Sequence, residues 1–144
     1  MVQIIDKKVN LEYPLGHHLH CMIAQVPNHL RGAEKGFAIA EPDRQWERVR
    51  SILDLVAAGE GNLKKLHFLM FPETHVPVGR FDEMLNVING TFRPNTVTMF
   101  GVEHVSLKAY REMLERFRED NAEAIELVDR DIDSGDVQIG RAHV

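Results

Sequence analysis

Leu66-His67-Phe68-Leu69-Met70-Phe71-Pro72-Glu73 is an apolar run that halts at a proline and then presents a carboxylate. The run, interrupted only by His67, predicts a strand buried on both faces. Pro72 has no N–H to give to a ladder, so the strand ends there. Glu73 is thereby delivered just past the C-terminal end of a rigid element. That is the edge where open α/β sheets form their ligand crevices. A carboxylate in that place suits a proton acceptor, although most loop glutamates are simply solvated.

The flanking segments repeat the rhythm. Residues 19–26 (Leu-His-Cys-Met-Ile-Ala-Gln-Val) are a second, largely apolar run, closed by Pro27, and predict another doubly buried strand. Residues 28–41 hold Gly32, Gly36 and mixed charge and read as a long loop. Pro42 and Asp43 open a helix that Asp43 can cap. Trp46, Val49, Ile52, Leu53 and Val56 form its apolar stripe, and Gly59 and Gly61 end it. After Glu73, a short helix carries Phe81, Met84, Leu85 and Ile88, and Gly90 breaks it. Residues 96–100 make a third strand, ended by Gly101. Ser106 caps a last helix whose buried stripe is Leu107, Tyr110, Met113, Leu114 and Phe117. Residues 121–132 continue it after a break. Strands alternating with helices predict an α/β domain with crossover connections.

Composition narrows the function. The 144 residues carry 17 Lys+Arg against 22 Asp+Glu, a formal charge of −5, which disfavours a nucleic-acid or anionic-membrane binder. No apolar run approaches the ~20 residues that span a bilayer, and the N-terminus, with Asp6, Lys7 and Lys8, lacks a signal-peptide core. Cys21 is the single cysteine. It excludes an intramolecular disulfide and suits a cytoplasmic location. In mid-strand it reads as a buried structural thiol. His17, His18, His20 and Cys21 have no second ligand pair at zinc spacing, so no metal is expected. Residues 129–135 imitate a calcium loop but have glycine one position late and Gly140 at the twelfth position.

Ile23-Ala24-Gln25-Val26-Pro27, an amphipathic helix, Phe71-Pro72-Glu73 and then Phe100-Gly101-Val102-Glu103 come in an order that resembles the opening of the nitrilase-type carbon–nitrogen hydrolases. The resemblance spans about residues 19–105. It implies the N-terminal half of an α-β-β-α sandwich and hydrolysis of a small nitrile or amide without a cofactor. It also implies a homo-oligomer when the chain is full length. That family's catalytic set is glutamate, lysine and cysteine, in chain order. The glutamate maps onto Glu73. The other two fall beyond residue 137, so the chain alone is expected to be inactive. His75, Glu103 and His104 lie near strand ends and are candidates to line the substrate cleft, although a hydrogen-bonded structural histidine is commoner.

The last seven residues, Gln138-Ile139-Gly140-Arg141-Ala142-His143-Val144, match in frame the translation of a common sequencing adapter. The expected organisation is therefore an irregular lead-in over 1–18, a partial hydrolase-like domain over 19–137 and a non-native tail over 138–144, as in a metagenomic fragment. Two other readings stay open. One is an inactive regulatory or interaction domain of the same fold within a larger, defence-associated protein. The other is an unrelated α/β binding module.

Overall fold

The computed structural model describes residues 18–33, 36–94 and 96–134. The chain divides into two compact units, one over Asn10–His104 and the other including Val105–Val144. The 138–144 tail and almost all of the 1–18 lead-in lie outside the described residues.

In the first unit, strands β1 (Cys21–Ile23), β4 (Phe68–Met70) and β5 (Val97–Met99) form one parallel sheet in the order β1-β4-β5. Cys21 pairs with Phe68 and Phe68 with Val97, and the register continues to Ile23, Met70 and Met99. Helix α1 (Pro42–Ala58) connects β1 to β4, and α2 (Phe81–Thr91) connects β4 to β5. These are the three expected strands and two expected helices, in an α/β arrangement. Stepping across the sheet in one direction with right-handed crossovers puts both helices on the same face. There Trp46, Val49, Leu53 and Val56 of α1 and Met84 and Val87 of α2 pack with Ala24, Leu69 and Phe71.

That one-sided cover corrects the expectation of doubly buried strands. Ala24 and Leu69 are 3% and 0% exposed, whereas Ile23 on the opposite face is 70% exposed. Val97, Met99 and Cys21 are exposed as well, so Cys21 is not a buried thiol.

Three local expectations also change. Residues 28–41 are not a loop throughout. They contain an antiparallel hairpin, β2 (Leu30–Ala33) with β3 (Gly36–Ile39). The residue that caps α1 is Glu41, without a side-chain cap bond, and Pro42 takes the first helical position. Asp43 instead pairs with Arg80 at 2.8 Å. Gly90 does not break α2, which runs on to Thr91. Gly59, at φ 60, ends α1 as expected.

In the second unit, Ser106 Oγ accepts from Ala109 N at 3.2 Å and caps α3 (Leu107–Glu115). None of the residues of α3 is buried, and Leu107 and Phe117 are exposed, so the expected stripe is not a closed core. Helix α4 (Arg118–Ser134) bends at Asn121, matching the expected break. Arg118 binds Glu115 on α3 through Nε at 2.7 Å and Asp129 on α4 at 2.8 Å.

The hydrogen bond from Arg118, aided by its charge, holds the Glu115 carboxyl below the usual carboxylate range. A lowered folded-state value means that this stabilisation is present above the ordinary glutamate range, about 4.3, and is lost as pH falls through the lowered value. A carbon-13 titration of Glu115 is expected to give a depressed midpoint, and Arg118→Gln should return it to the ordinary range. Among the described residues, no helix is long and apolar enough to cross a membrane.

Candidate functional site

The C-terminal edge of the sheet brings Glu73, His75, Glu103 and His104 together in the first unit. Phe71 N donates to Met99 O at 2.9 Å and Ala24 N to Met70 O at 2.8 Å, so the three strand ends are held side by side. Beyond them Pro72, Glu73, Thr74 and His75 form a turn. The Glu73 side chain is exposed.

The backbone of this turn is tightly held. Thr74 has φ 54, a left-handed conformation rare for a β-branched residue. The end of β5 presses against it from one side. A Cβ built on Gly101 would lie 2.7 Å from Glu73 Cα and 3.1 Å from Thr74 N, so position 101 has no room for a side chain. Gly101 O also accepts from His75 N at 3.0 Å and Val76 N at 3.1 Å. The segment that follows β1 supplies Asn28, whose Nδ2 donates to Thr74 O at 2.6 Å. Gln45, 2% exposed in the first turn of α1, donates to His75 O at 3.2 Å.

His75, Glu103 and His104 all stand at this edge with Glu73, and each has its own backbone partners. His75 is 6% exposed. Its Nδ1 is 3.1 Å from Glu73 O and its Nε2 is 3.1 Å from Val26 O, so the ring bridges the turn and the end of the β1 segment. Glu103 accepts from Ile39 N at 2.8 Å through one carboxylate oxygen and from Val78 N at 3.0 Å through the other. His104 Nδ1 accepts from Phe37 N at 2.9 Å. Glu103 and His104 thus fasten the β2–β3 hairpin to the sheet edge. His104 also closes over Gly36, where a Cβ would meet its ring at 2.7 Å.

Asn28, Gln45, Thr74 and Gly101 were not singled out as site residues from sequence. Their one legible signal was position, since Asn28 follows the proline after the first run and Gly101 follows the third. The left-handed conformation at a threonine has no sequence signature.

A recess of about 410 Å³ lies at the opposite end of the sheet, lined by Leu19, His20, Cys21, Met22, Leu63 and Leu66. It is remote from Glu73 along β1 and β4. Among the described residues, no group of three or more His, Cys, Asp or Glu could hold a metal ion. No family model matches the chain, and no curated protein or solved structure gives a significant match to it.

Gly101→Ala is expected to destabilise the chain by about 2 kcal/mol, because the new methyl meets backbone atoms that cannot turn aside. Urea unfolding measures this, with Gly79→Ala as control, where a Cβ would meet nothing within 4 Å.

Proposed function

We propose that this chain is the N-terminal portion of a nitrilase-type carbon–nitrogen hydrolase domain, with Glu73 as general base. The observation that carries the reading is an exposed carboxylate on a fixed turn at the C-terminal end of the central parallel strand, flanked by the ends of both neighbours. In this mechanism Glu73 takes the proton of a cysteine thiol carried further along the chain. The thiolate adds to the carbon of a small amide, or of a nitrile whose thioimidate then takes up one water, and a lysine stabilises the charge that develops. The nitrogen takes the proton back and leaves as ammonia, and water hydrolyses the remaining thioester to the carboxylic acid and the free thiol. The apolar face bearing Ile23, Val97 and Met99 supports the sandwich reading, because all-parallel sheets are covered on both faces.

The test is the coding sequence beyond residue 137, expressed whole and assayed for ammonia release from a panel of nitriles and amides. A lysine and then a cysteine downstream, with activity, support the proposal. A continuation lacking both overturns it in favour of an inactive domain of the same fold. The backbone engagement of His75, Glu103 and His104 favours that second reading, since it turns three of the four candidates to structural use.

A further inference from the structure

We infer that Asn28 is a positioning residue for Glu73, an inference that rests on the reading of Glu73 as the base. Residue 74 lies between two peptide planes, and both are pinned. The plane joining Glu73 to Thr74 is backed by Gly101, which leaves no space for a Cβ beside Glu73 Cα, Glu73 C and Thr74 N. The plane joining Thr74 to His75 is gripped at both ends. Asn28 Nδ2 donates to its carbonyl at 2.6 Å, and its N–H donates to Gly101 O at 3.0 Å.

With both planes fixed, Thr74 has no freedom to leave φ 54. A left-handed non-glycine residue persists only where its surroundings over-determine it. Of the groups that pin the second plane, Asn28 is the side chain. It comes from the segment that follows β1, 46 residues from Thr74 in the chain. The Asn28 Oδ1 atom is buried and has no hydrogen-bond partner among the described residues, so the amide makes a single directed bond and leaves its acceptor unused, which is costly. The consequence lies at Glu73. Rotation about residue 74 would swing the preceding plane and change the direction in which the Glu73 side chain leaves the sheet edge. Asn28 therefore fixes where the carboxylate points without touching it.

The experiment uses the isotopically labelled 144-residue chain, with Asn28→Ala, Thr74→Gly and the double variant. The readouts are the amide–Hα coupling constant of Thr74 and amide exchange at His75 and Val76. In Asn28→Ala the Thr74 coupling should move to a negative-φ value, and exchange at the two amides should quicken roughly tenfold to a hundredfold. Adding Thr74→Gly should restore the protection, because glycine holds a left-handed conformation without strain. Asn28→Asp, which keeps the shape and removes the donor, should behave like Asn28→Ala and serves if the alanine variant does not fold. An unchanged Thr74 coupling, or a uniform loss of protection across the sheet that Thr74→Gly does not rescue, would overturn the inference. Assay of Glu73→Gln tests the base assignment separately, so either can fail without the other.

Discussion

Under the proposed function, Glu73→Gln in the full-length chain is expected to lower kcat/KM by roughly 10²–10⁴-fold, the usual contribution of a positioned general base, while the melting of the chain stays unchanged. Both halves follow from one feature. The Glu73 side chain is exposed, and its backbone, not its carboxylate, is held by Gly101, Asn28 and His75. Replacing the carboxylate by an amide keeps the size of the side chain and removes its negative charge and its capacity to take up a proton. Surface substitutions of that kind usually change stability by no more than about 0.5 kcal/mol. A kinetic loss can therefore be assigned to chemistry and not to unfolding. Activity within threefold of the parent enzyme would remove Glu73 from the mechanism.

What could be read from the sequence divides by the range of the physics involved. The three strands and both crossover helices of the first unit were legible, because apolar runs and the stripe of Trp46, Val49, Leu53 and Val56 are local signals. Which strand face the helices cover was not. That depends on the order of strands in the sheet, and it left Ile23 and Cys21 in solvent. The hairpin was missed because all four residues of β2 are exposed, so no alternation marks it. Its anchors come from 64 and 67 residues away, at Glu103 and His104.

The site divides in the same way. A proline after an apolar run marks the edge that Glu73 occupies. Nothing local tells that Thr74 turns left-handed beneath it, or that Asn28 and Gly101 close on it. Those arrangements exist only once three strand ends stand together.

The opposite behaviour is expected of Glu103, whose value to the fold is large. Its two carboxylate oxygens accept from Ile39 N and Val78 N, and Ile39 is 2% exposed. Glu103→Ala leaves two backbone donors without their acceptor, one of them in a buried residue. Hydrogen bonds to a charged group contribute about 1.5–3 kcal/mol each, and the half-buried setting argues for the lower end, so the loss should be about 3 kcal/mol in urea unfolding. Glu103→Gln keeps one acceptor and turns an NH₂ toward the other amide, so about half of that loss should remain. The damage should also be directional. Amide exchange should rise first in β3, where Glu103 grips the hairpin, and in the turn at Val78, before it reaches the paired residues Leu69 and Thr98 in the sheet. Should Glu103→Ala leave the melt intact and abolish the proposed activity of the full-length chain, the roles of the two glutamates would be exchanged. The general base would then stand at the end of β5 instead of the end of β4.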